Sequence, residues 1–110
     1  MDEKTKEKIK QLQLIEQNIQ GFLAQKHQLQ LQLVEIESAL KEIENCSKSY
    51  KIVGNIMIDK NKDELKKELE QKKETVELRM KTLEEQEKKL KEKANAMQSE
   101  VMKVLESDNK

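Results

Sequence analysis

Few side chains in this sequence could do covalent or acid–base chemistry. Cys46 is the one thiol and His27 the one imidazole. A thiolate can act as a nucleophile or metal ligand, and an imidazole can move protons near neutral pH. Adjacent carboxylates such as Glu84-Glu85 could divide acid and base roles, and Tyr50 could donate a phenolic proton. Catalysis needs such groups in a convergent set, with a nucleophile in reach of its base. The spacing supplies none. Cys46 and His27 have no second thiol or imidazole to complete zinc-site spacing, and no GxxxxGK[ST] or GxGxxG phosphate loop is present. His27 and Glu84-Glu85 read as solvated helix positions, and Tyr50 reads as a packing residue. Cys46 cannot form an internal disulfide and reads as an incidental thiol. No catalytic residue, metal or cofactor is expected, and the chain is not read as an enzyme.

The residues with the strongest pattern offer another chemistry, that of association. The run Tyr50-Lys51-Ile52-Val53-Gly54-Asn55-Ile56-Met57-Ile58 is rich in β-branched residues. Gly54-Asn55 at its centre is a two-residue turn signal of the II′ or I′ kind, because Gly accepts positive φ freely and Asn tolerates it. Strands are predicted at about 49–53 and 56–60. In that register Val53 opposes Ile56 and Ile52 opposes Met57, and directly opposed residues share a face. One face carries Val53, Ile56 and Ile58; the other carries Tyr50, Ile52 and Met57. Both faces are apolar.

Two long elements must position this hairpin. Steps of three and four from Leu12 give Leu12, Ile15, Ile19, Phe22, Lys26, Leu29, Leu33, Ile36, Leu40 and Ile43, nine of ten apolar. Sustained over more than four heptads, this pattern predicts a coiled-coil helix at about 3–45. Gly21 lies off the seam. The steps Leu69, Lys73, Val76, Met80, Leu83, Glu87, Leu90, Ala94, Met97, Val101 and Val104 are nine of eleven apolar and predict a second helix at about 62–107. Lys73 and Glu87 are expected to lie along the seam and reach out to water. Asn61 is a candidate N-cap, with Glu64 in the capping-box position. The joining segment is too short to return the chain in parallel, so the helices are antiparallel. Leu12 then lies near Val101 and Ile43 near Leu69. Each helix would be roughly 60 Å long. The fold class is mainly α: a long antiparallel two-helix coiled coil joined by a single β-hairpin, forming one domain over 1–110.

Composition agrees and excludes other classes. The chain is 40% charged and 2% aromatic, with two glycines and no proline, which suits long helices. Its 22 basic and 22 acidic residues cancel, and no basic stripe points to nucleic acid. No apolar run is longer than the three residues of Ile56-Met57-Ile58, too short to span a membrane. The start, Met1-Asp2-Glu3-Lys4, has no apolar stretch of the signal-peptide kind. A cytoplasmic location is expected.

An isolated two-stranded hairpin is marginal in water, and its edges are open to other chains. Several chains are expected to join their hairpins into an oligomeric β-barrel hub, because closure removes edges. Near the free helix ends, Ile9, Leu14, Met102 and Leu105 supply apolar groups beyond the seam. Such groups are either fraying-prone ends or a contact surface, and Met suits varied partners. Met80 and Met97 fall on the seam and read as core.

The hairpin motif set between two heptad helices resembles the signature Tyr-Lys-x-Val-Gly-x followed by three apolar residues of the prefoldin β-type subunit. The resemblance covers the whole chain in architecture and about ten residues in specific motif. A single hairpin points to the β-type, since α-type subunits carry two, and the short chain points to an archaeal member. The resemblance implies a hetero-hexamer of two α-type and four β-type subunits whose hairpins form a double β-barrel bearing six coiled coils. It implies ATP-independent capture of unfolded client proteins at the coiled-coil tips and delivery to a group II chaperonin. Carried onto this sequence, the assembly residues are Tyr50, Ile52, Val53, Ile56, Met57 and Ile58. The client-contact residues fall among Ile9, Leu12, Leu14, Val101, Met102 and Leu105. The competing reading is a structural coiled-coil adaptor that tethers one defined partner, but a tether has no use for a doubly apolar β element.

Overall fold

The computed structural model describes residues 2–46 and 48–108; Met1, Ser47, Asn109 and Lys110 lie outside the described residues. Helix α1 spans Glu3–Glu44, strand β1 Ser49–Val53, strand β2 Ile56–Lys60 and helix α2 Lys62–Asp108. The strands pair antiparallel in the expected register, Val53 opposite Ile56 and Ile52 opposite Met57. The turn is resolved in favour of the II′ kind. Gly54 has φ of 61°, while no described non-glycine residue has positive φ, so the left-handed residue is the first of the central pair.

Both helices begin on a side-chain cap. Asp2 Oδ1 accepts from the Thr5 amide at 2.8 Å, and Asn61 Oδ1 accepts from the Asp63 and Glu64 amides at 2.9 and 3.4 Å. These acceptors satisfy N–H groups that have no partner within the helix. The Asp2 cap has no counterpart in the sequence reading. The Thr5 hydrogen bonds hold its carboxyl below the usual carboxylate range. At the other end of α1, the amides of Asn45 and Cys46 tighten the last turn by bonding back to Glu42 and Ile43. Lys62 donates to the Glu44 carbonyl at 3.0 Å, which caps an otherwise open acceptor.

The chain divides into two compact units, Met1–Lys26 with Thr82–Lys110, and His27–Lys81. In the first, Lys8 pairs with Glu100 at 2.9 Å and Lys26 with Glu84 at 3.3 Å. In the second, Glu37 pairs with Lys73 at 3.7 Å and Glu44 with Lys66 at 3.2 Å. As numbers rise on α1 they fall on α2, so the helices are antiparallel within each unit. The core of each follows the heptad steps. Ile15 and Val101 are buried in the first unit; Leu29, Ile43 and Val76 are buried in the second. Every seam position named from the sequence is buried or half-buried, Lys26 and Lys73 included.

One expectation fails at the seam. Glu87 does not reach out to water; it is 6% exposed. Its carboxylate accepts from Lys91, one turn on, at 2.7 Å. Lys26, the polar seam residue of α1, carries its charge close by and is itself bonded to Glu84. The Lys91 hydrogen bond, followed by the Lys91 and Lys26 charges, holds the Glu87 carboxyl below its ordinary range against the opposing effect of desolvation. A buried charge persists only when paired, and here Lys91 of the same helix supplies the hydrogen bond and Lys26 of the facing helix a second positive charge.

Candidate functional site

The hairpin gathers the largest set of neighbouring apolar side chains that the fold leaves exposed among the described residues. Alternation along β1 and β2 puts Ser49, Lys51, Val53, Ile56, Ile58 and Lys60 on one face and Tyr50, Ile52, Met57 and Asp59 on the other. All six residues expected to drive assembly are exposed: Ile52 at 67%, Ile56 at 66% and Met57 at 64% lead, with Tyr50, Val53 and Ile58 near half. These are apolar groups on adjacent strands. A contiguous apolar patch of this kind marks an association surface. The outer edges of β1 and β2 have no neighbouring strand among the described residues, which leaves two ladders of backbone donors and acceptors open.

The base of the hairpin is the opposite in character. Ser49 is buried, and its hydroxyl donates to the Lys60 carbonyl at 2.6 Å across the ladder. Glu68 on α2 accepts from Lys51 of β1 at 3.2 Å and from Lys60 of β2 at 2.8 Å, one lysine on each carboxylate oxygen. The Lys60 hydrogen bond, and then that of Lys51, depresses the Glu68 carboxyl below its usual range. The same contact raises Lys60. No sequence period links residues 51, 60 and 68, so this junction was not foreseen.

The residues expected to contact clients are divided by the fold. Leu14 at 58% and Met102 at 52% are exposed. Ile9, Leu12 and Leu105 are half-buried. Val101 is buried in the seam, so while the helices remain paired its methyl groups are not a surface. Of the off-seam positions, Leu14 and Met102 stand open, while Ile9 and Leu105 are half-buried like the seam residue Leu12. Met80 and Met97 are half-buried on the seam.

Residues considered for other chemistry stay apart. His27 is exposed, Cys46 is an exposed free thiol, and Glu84 and Glu85 are both exposed on α2. No group of three or more potential metal ligands occurs among the described residues, and no helix is long and apolar enough to cross a membrane.

Comparison with known proteins places this geometry. The family described as "Prefoldin subunit" matches residues 6–108. The prefoldin subunit beta of Archaeoglobus fulgidus is 38% identical over 66 residues, covering 57% of each chain. That of Pyrobaculum islandicum is 40% identical over 60 residues, covering 52% of this chain and 48% of its own. The matched stretch thus spans about half the length of these curated relatives. The crystal structure of the prefoldin beta subunit from Thermococcus strain KS-1 superposes with a TM-score of 0.88 at 36% identity, covering 94% of both chains.

Proposed function

This chain belongs to the prefoldin subunit family, and on that premise we propose that it is the β-type subunit of an ATP-independent chaperone. In this reading it joins α-type subunits through the hairpin in a hetero-hexamer of two α-type and four β-type chains. The assembly captures unfolded proteins at its helix ends and passes them to a group II chaperonin in the cytoplasm. The domain extends over 1–110, and no ATP or other cofactor takes part. The observation that carries the reading is the pair of apolar hairpin faces exposed on a two-stranded sheet with open edges. Burial of that surface is worth roughly 25 cal/mol for each Å² covered, and added strands satisfy the open ladders.

Client capture follows from the physics of the helix ends. Unfolded chains expose scattered apolar segments. Leu14 and Met102, with the partly open Ile9, Leu12 and Leu105, offer small apolar contacts on each subunit. Each contact is weak, but several subunits in one assembly raise the effective concentration of every further contact. Val101 contributes only where the helices part at their ends.

The test is the native mass of the chain, alone and co-expressed with the α-type subunit from the same genome. The expected result is a complex of about six chains that slows aggregation of several unrelated denatured proteins. A dimer that ignores the α-type subunit and protects no denatured protein would instead favour a dedicated adaptor. Removing 1–10 and 100–110 should weaken client capture and leave the oligomer intact. Loss of the oligomer on trimming would overturn the assignment of capture to the helix ends.

A further inference from the structure

The junction of Glu68 with Lys51 and Lys60 does more than join neighbouring charges. Both lysines leave the same face of the hairpin, one from each strand, and both end on one carboxylate of α2. Asp59 lies on the opposite face, beside Tyr50, Ile52 and Met57. We propose that Glu68 is the positioning residue for assembly: by holding one lysine from each strand it selects which apolar face turns toward α2 and presents the Tyr50–Ile52–Met57 face to partner strands. This inference rests on the reading of the hairpin as the assembly surface.

The physical need is specific. Apolar residues on both faces give hydrophobic burial no means to tell one face from the other, because side-chain alternation is symmetric about the strand. Charge supplies the distinction. The chosen orientation gives Glu68 two charge-assisted hydrogen bonds, whose geometry is directional. The opposite orientation would bring Asp59 toward Glu68 and take both lysines away, replacing attraction with repulsion. The Ser49–Lys60 hydrogen bond ties the base of the two strands together, so holding the lysines orients the hairpin as one piece. A hairpin fixed before encounter loses less orientational freedom on assembly.

The test uses the full chain with the α-type subunit of the same genome. Dissociation on dilution is followed by native mass, and helicity by circular dichroism. E68A should keep its helicity and dissociate at a concentration about fivefold higher than wild type, the scale set by two part-exposed ion pairs. E68K should assemble less well still. The charge-reversed variant carrying K51E, K60E and E68K should return to near the wild-type midpoint, a rescue that loss of packing at position 68 would not show. I52D serves as the control for the hub itself and should abolish assembly. Wild-type midpoints for E68A and E68K, with I52D unable to assemble, would overturn the positioning role and leave the hub reading standing. Normal assembly of I52D would overturn the hub reading. Should E68A lose helicity, the charge-reversed variant decides: a helical chain that fails to assemble overturns the proposal, and one that assembles supports it.

Discussion

The helical seam and the β-hairpin are both apolar in sequence, yet the fold treats them oppositely. Seam residues such as Ile15, Ile43 and Val76 are buried, while Ile52, Ile56 and Met57 stand about two-thirds exposed. The difference lies in what one chain can supply. A heptad stripe is a single narrow surface, and an antiparallel helix from the same chain covers it. A two-stranded sheet has two faces and two edges, and one helical hairpin cannot cover them all. The seam completes itself within the chain, whereas the hairpin needs other chains.

The largest effect should come from placing a charge on each region in turn. Ile52→Asp should abolish the high-mass complex on size-exclusion chromatography with little change in helicity. Val76→Asp should collapse helicity itself, because it buries an unpaired carboxylate. Truncations sharpen the same contrast. Ile43→Ala should destabilise the chain by about 3 kcal/mol in urea unfolding, as expected for a buried Ile. Ile52→Ala should shift the isolated chain by less than about 0.5 kcal/mol, as surface substitutions do.

A third variant tests a place where the seam resembles the polar base of the hairpin. Replacing Lys26 and Glu87 together by Leu should raise the melting temperature by about 5 °C, since apolar packing at a seam often stabilises more than charges held there. Glu87→Ala alone should lower it, because Lys26 then loses a neighbouring counter-charge. The same double replacement should let the helices slip in register, read as a mixed set of distances between labels on the two helices, since a polar seam layer specifies alignment. Smaller again is Gly21→Ala. A Cβ at Gly21 meets nothing within 4 Å, and the residue lies inside α1, so relief of glycine's helix cost should stabilise by about 0.5–1 kcal/mol.

Acid should act on the charged junctions and spare the apolar seam. Glu68 and Glu87 are held below the ordinary 4.5 of a glutamate. Their stabilising contributions are therefore complete above pH 4.5 and are lost as pH falls through the lower folded-state values. Lys60 works at the other end. It is raised above 10.5, so its contribution is complete below that pH and fades as pH climbs through the higher value. Thermal melts from pH 7 to 3 should show a modest decline beginning near pH 4.5, and E68Q with E87Q should flatten it. An unchanged decline in that double variant would assign acid sensitivity to other carboxylates.

Much of the fold was legible before any coordinates. The apolar steps from Leu12 and from Leu69 located both seams, because a helix has one period and a paired helix has nearly the same one. Gly54-Asn55 located the turn, and whether it was I′ or II′ depended on one φ angle that Asn55 could have adopted as well. Asn61 is recognisable as a cap from its type and place, and Asp2 precedes its helix in the same way. Lys26 and Glu87 were the clearest missed signal. Each interrupts a seam, and their charges are opposite, yet the heptad steps taken one helix at a time give Glu87 only water to reach and give Lys26 no partner at all.

What the sequence determined alone was everything set by local period and backbone permission: two heptad helices, a tight turn at Gly54, and alternation that makes both hairpin faces apolar. What only tertiary structure decided was which distant side chains share a site. Glu68 takes Lys51 and Lys60 from two strands because the end of β2 runs almost directly into α2, folding the hairpin back within reach of its second turn. Lys26 reaches Glu84, and its charge acts on Glu87, because the antiparallel register brings those turns of α1 and α2 together. Electrostatic contacts act through space at hydrogen-bond range, and separation along the chain carries no trace of that distance until the elements have packed.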